Sequence, residues 1–169
     1  MRKLFFILWV TAVLLPSRGH SATDATNDSL SFYIVSAEKI DGGRYIDTLD
    51  FPKVGYIAAK PDLVIVRLVA VSETVTHSSI VNIDKDGKQT ETPLPDRPAL
   101  DVKILPEDAQ KFEALTKRAV GERVLLMLGD TPILAPTIHM PISTQSLHLT
   151  FAEHGNQKMI EDELKKLVH

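Results

Sequence analysis

From residue 99 onward the hydrophobic period of the chain switches repeatedly between two and about 3.6, so helices must lie against a sheet. ALDVKIL, residues 99–105, puts Leu100, Val102 and Ile104 on one side and Asp101 and Lys103 on the other. Pro106 then sits at a favourable first helical position, with Glu107 and Asp108 in the first turn and Lys117 and Arg118 in the last, ahead of Gly121. Ala109, Phe112, Leu115, Thr116 and Ala119 mark one helical stripe. ERVLLML reads as a strand, Gly129-Asp130 as a tight turn, and TPILAPTIHMPI as a second strand made irregular by Pro132, Pro136 and Pro141. SLHLTF alternates Leu147, Leu149 and Phe151 against His148 and Thr150. An amphipathic helix closes the chain over 157–168, with Met159, Ile160, Leu164 and Leu167 inward. The pattern predicts an α+β fold: a mixed or antiparallel sheet with two helices packed on one face.

The upstream half is β-rich. SLSFYIVSAEKI reads as a strand, and residues 41–61 are too rich in turn formers to assign. DLVIVRLVAVSETV carries apolar residues on both alternations, which predicts one central strand buried on both faces. Arg67 within it is expected to snorkel to an edge or to meet an acid. TPLPDRP, with Pro93, Pro95 and Pro98, reads as an extended connection. It divides a β-rich part, 23–97, from an α+β part, 98–169. NIDKDGKQTE begins like an EF-hand calcium loop, with Asn82, Asp84, Asp86 and Gly87 in place. Pro93 stands where the bidentate acid belongs, however, and the flanks are strand-like, so the stretch predicts a hairpin turn with Gly87 at positive φ.

The first residues place the protein. Arg2 and Lys3 precede an apolar run from Leu4 to Leu15, Pro16 breaks it, and Gly19, Ser21 and Ala22 follow. This is the layout of a signal peptide over 1–22, too short to span a membrane. The segment holds Arg2, Lys3 and Arg18 and no acid, so its removal takes the formal charge from −3 to −6. An acidic exported chain argues against a nucleic-acid partner. With no cysteine, there is neither a disulfide framework nor a thiolate site. The expected location is periplasmic or secreted, with no membrane span in the mature chain.

Taken together, helix residues Glu107, Asp108, Ala109, Phe112, Leu115 and Thr116, then Gly121 and Arg123, then Ala135, Pro136, Ile138, Pro141 and Ile142 form a recognisable series. It resembles the head subdomain of the first periplasmic loop of the protein-export membrane proteins SecD and SecDF, over roughly residues 100–169. The resemblance implies a ferredoxin-like α+β head that contacts polypeptide emerging from the translocon. The family's Asp-Gly turn is reversed here to Gly129-Asp130, and its membrane helices have no counterpart in this sequence.

No nucleophile elbow, zinc-protease helix, P-loop or dinucleotide fingerprint occurs, so no catalytic residue, cofactor or metal is assigned and the chain is expected not to be an enzyme. If residues 131–142 and 146–151 pair as a hairpin, His139 and His148 lie directly across from each other on the outer face, as a solvated pair or two ligands of an incomplete metal site. Leu125 and Met127 alternate onto that same face. The expected binding surface therefore comprises Arg123, Leu125, Met127, His139 and His148, facing a polypeptide or an envelope protein. The alternative is a small metal carrier or enzyme on the same scaffold. Residues 30–60 decide whether that face is open or covered.

Overall fold

A computed structural model describes residues 29–47, 53–151 and 154–169. The signal-peptide reading of 1–22 lies outside these residues. The elements are β1 (Leu30–Val35), β2 (Arg44–Ile46), β3 (Gly55–Ile57), β4 (Leu63–Ile65), β5 (Leu68–Thr76), β6 (Ser79–Ile83) and β7 (Gln89–Pro93). They continue with β8 (Arg97–Ile104), α1 (Pro106–Arg118), β9 (Arg123–Leu128), β10 (Thr131–Leu134), β11 (Ser146–Thr150) and α2 (His154–Lys165). The fold is α+β, and every ladder between these strands is antiparallel.

The strands divide over two principal sheets, ordered β10-β9-β1-β4 and β11-β8-β5, with β2-β3 and β6-β7 as separate ribbons. This differs from a single sheet carrying both helices on one face. The cause lies in residues 62–75, which form two edge strands rather than one central strand. The chain leaves the first sheet after Ile65 and enters the second at Leu68, with Val66 and Arg67 exposed between them. Edge strands keep one flank in water, which is why Val64, Val69 and Val75 are 41%, 40% and 43% exposed. The strands buried on both faces are instead β1 and β9, at the centre of the first sheet.

One core joins both sheets and both helices. Leu30 and Phe32 of β1 and Val124, Leu126 and Leu128 of β9 supply one wall; Leu100, Val102 and Ile104 of β8 and Leu147 and Leu149 of β11 supply another. The stripe of α1 seals it, with the Phe112 ring 5.3 Å from that of Phe32. Burying a phenylalanine of this kind contributes about 1.5–3 kcal/mol. Helix α1 starts at Pro106 and stops where Ala119 N–H reaches Leu115 O at 3.0 Å and Gly121 turns the chain at φ 89°.

Helix α2 begins at His154, earlier than expected, and keeps inward all but one of the residues expected there. Ile160, Leu164 and Leu167 enter the core, but Met159 is 54% exposed. Polar Gln157 and Glu161 take inward places, Gln157 donating from Nε2 to Ala99 O at 3.0 Å.

The other face of the first sheet has its own cover. Leu125 and Met127 pack with Tyr33, Val35, Ile46, Val54 and Ile57, so the β2-β3 ribbon lies over them. Gly55, at φ 132°, makes the approach possible, because a Cβ there would stand 2.6 Å from Val35 Cγ1. The hairpin expected at NIDKDGKQTE forms: Asp84 Oδ1 accepts the N–H groups of Asp86 and Lys88, and Gly87 has φ 78°.

Candidate functional site: an apolar groove beside an open sheet edge

The segment after β10 is not a continued strand. Beyond Leu134 it runs as an extended wall held by backbone bonds to the turn after α1. Gly121 N–H donates to Ile138 O at 2.8 Å, Ile138 N–H to Glu122 O at 2.9 Å, and Val124 N–H to Pro136 O at 2.9 Å. Farther along, Ile142 N–H donates to Thr116 Oγ1 at 3.0 Å. Prolines suit this wall, since it needs few donors and a fixed φ.

Between that wall and β11 the core opens. A cavity of about 170 Å³ is lined by Phe32, Phe112, Val124, Leu126, Leu134, Pro136, Ile138, Ile142, Leu147 and Leu149, with Thr144, Ser146 and His148 at its polar rim. Its floor is thus core side chains from both sheets and α1.

β11 is an edge strand, and its hydrogen-bond parity is readable. Ile104 N–H bonds Gln145 O and Phe151 N–H bonds Pro98 O, so alternate residues from Gln145 to Phe151 face β8. The backbone groups of Ser146, His148 and Thr150 therefore point away from the sheet. Thr144 Oγ1 occupies both groups of Ser146, accepting its N–H at 3.0 Å and donating to its O at 2.9 Å. His148 and Thr150 keep an outward edge beside the groove.

The five residues expected to form a binding face do not share one. Leu125 and Met127 are 0% and 1% exposed under the β2-β3 ribbon, so the open apolar face is corrected to ordinary core. Arg123 is half-buried and bridges elements, donating from Nε to Ala135 O at 3.3 Å and from Nη1 to Val54 O at 3.2 Å. His139 is exposed beyond the end of β10, and the neighbouring Met140 is 69% exposed. His139 and His148 are not cross-strand partners, because β11 pairs with β8 and not with the segment carrying His139.

His148 has other neighbours. Its Nδ1 is 2.8 Å from Asp101 Oδ1 and its Nε2 is 2.7 Å from Thr76 Oγ1, which also lies 2.8 Å from Thr150 Oγ1. This chain of carboxylate, imidazole and hydroxyls spans β5, β8 and β11 and ties both edges of the second sheet to its centre. Among the described residues no group of three or more His, Cys, Asp or Glu is placed to hold a metal ion.

The groove residues were present in the sequence as the A-P-x-I-x-x-P-I stretch, which hydrophobic alternation alone reads as a strand. Their role as a wall shows only once Gly121, Thr116 and Val124 are seen to hold them.

No protein-family model matches the chain, and no curated protein does. Among solved structures it is similar to SecDF, described as a membrane component that enhances protein export, with a TM-score of 0.51 at 18% identity, over 83% of this chain and 63% of that chain. A structure of SecDF in a super-membrane-facing form matches with the same TM-score and identity, over 83% of this chain and 19% of that one. The chain thus spans under two thirds of the length of either. A likeness over 83% of the chain reaches well into the upstream half, beyond the roughly 100–169 of the sequence resemblance. Among the described residues no helix is long and apolar enough to cross a membrane.

Proposed function

We propose that this protein is an exported, non-enzymatic module, periplasmic or secreted, that binds an extended polypeptide segment along β11. The carrying observation is the coincidence of an apolar groove with the outward backbone of His148 and Thr150. A strand laid there gains main-chain bonds from the edge, while alternate side chains drop into the groove, which is the general logic of strand addition. The shared fold with SecDF supports the reading, since that protein is described as enhancing protein export.

Groove size sets the specificity. A cavity of about 170 Å³ accommodates roughly one or two aliphatic side chains, so the bound segment is short, apolar and tolerant in sequence. Such selectivity suits unfolded chains better than one folded partner.

The test is binding of a permanently unfolded polypeptide by fluorescence anisotropy, comparing the wild type with His148→Pro. That substitution removes an outward N–H and leaves the bonds of β11 to β8 in place. His148→Asn controls for the lost imidazole. Binding lost in the proline variant and kept in the asparagine variant supports strand addition. Equal binding by all forms, or none by the wild type, overturns it.

A further inference from the structure

The β6-β7 ribbon stands out from the body. Every residue of both strands is exposed, and Ile80, Val81 and Ile83 are 49%, 53% and 65% exposed. A two-stranded ribbon with such side chains in water is marginal alone. Its two edges differ. β7, QTETP, ends in Pro93, which has no N–H to donate, and carries Glu91, and both features blunt an edge. β6, SIVNI, has no charge and no proline.

Parity again shows which groups are outward. Asp84 N–H bonds Lys88 O, and Leu94 N–H bonds Ser78 O, so the even-numbered residues of β6 face β7. Ser79, Val81 and Ile83 present their N–H and C=O groups to the open side, with their side chains on a common ribbon face.

We infer that β6 pairs with β6 of a second copy of this chain, antiparallel, about a two-fold axis at Val81. That register sets Val81 opposite Val81 and Ser79 opposite Ile83, each pair exchanging both backbone bonds, and it draws the exposed Val81 and Ile83 side chains of the copies into one stripe. Charge permits a second copy as the occupant. The SIVNI edge places no like charges face to face. The Glu91 side chains of the two copies lie outside both β6 strands, roughly 14 Å apart at the usual strand spacing, beyond the screening length in physiological salt. An extended client needs pockets for its side chains, which the groove at β11 has; β6 instead offers protruding side chains, for which its own copy is a matching surface. The strand pair buries well under the roughly 800 Å² per partner of a stable interface, so the association is weak and concentration-dependent.

Sedimentation equilibrium of the whole protein over about a hundredfold concentration range tests this. The wild type is expected to self-associate, and Val81→Lys and Val81→Glu, each placing like charges at the axis, are each expected to stay monomeric. An equimolar mixture of the two variants regains the dimer. Both melt with the wild type, since Val81 is exposed and away from the core. His148→Pro, which acts at the groove, leaves self-association unchanged. A wild type that is monomeric throughout, variants that associate as the wild type does, or a mixture that stays monomeric overturns the inference. So does binding of unfolded polypeptide that is lost on Val81→Lys in a monomeric wild type, which would make β6 a client edge.

Discussion

Thr116 Oγ1 accepts the backbone N–H of Ile142 at 3.0 Å and donates its own proton to Glu113 O at 3.1 Å. One fully buried hydroxyl thereby fastens the outer wall of the groove to α1. Thr116→Val keeps the shape and strands the Ile142 N–H, so it is expected to cost about 1–3 kcal/mol. Thr116→Ser should recover most of that. Urea unfolding of the two variants checks the order.

Met127→Glu separates an open face from a covered one. Met127 is 1% exposed beneath the β2-β3 ribbon, and burying a carboxylate there carries a heavy desolvation cost even beside Arg44, whose Nη2 lies 3.5 Å from Met127 Sδ. The variant is expected to lose more than about 4 kcal/mol and its cooperative melt. A normal melt would mean that the ribbon lifts off at little cost.

Arg123 holds Val54 O and Ala135 O at once, which requires the fork of a guanidinium. Arg123→Lys keeps the charge but cannot span both acceptors. Hydrogen exchange at Val54 and its neighbours should quicken by roughly five- to thirtyfold, equivalent to about 1–2 kcal/mol. Amides of α1 should be unchanged.

Glu161 is buried, with Lys165 Nζ at 2.5 Å and Lys158 Nζ at 3.3 Å. The Lys165 hydrogen bond holds its carboxyl below the usual glutamate range, against burial, which pushes the other way; Glu73 and Lys158 add hydrogen bonds. A carboxyl depressed in the folded state adds stability that is full above its unfolded value and is lost as pH falls through its folded value. Melting temperature should therefore hold at neutral pH and decline below about pH 4.5. Glu161→Gln should lower the neutral plateau and shallow that decline. An unchanged acid slope in the variant would assign the decline to other carboxylates.

Local pattern was enough wherever bonding is local. Pro106, the flanking charges and the stripe through Phe112 and Leu115 specify α1, because an α-helix closes its hydrogen bonds within four residues. The Asp84–Lys88 turn is legible for the same reason, as the Asp84 side chain and Gly87 form it unaided. The series from Phe112 to Ile142 carried the likeness to SecDF because its members contact one another: Thr116 holds Ile142, Gly121 holds Ile138 and Arg123 holds Ala135.

Pairing between distant strands was decided only by the tertiary structure. An apolar run such as residues 62–75 has the same composition whether it is one central strand or two edges. Only the crossing at Val66 and Arg67 distinguishes them. His148 met Asp101 rather than His139 because β11 chose β8, a choice made by burying Leu147 and Leu149 against the common core. The cover over Leu125 and Met127 came from a turn-rich stretch with no period of its own. Alternation tells which side chains share a face; what lies against that face depends on contacts far apart in sequence, and packing alone settles those.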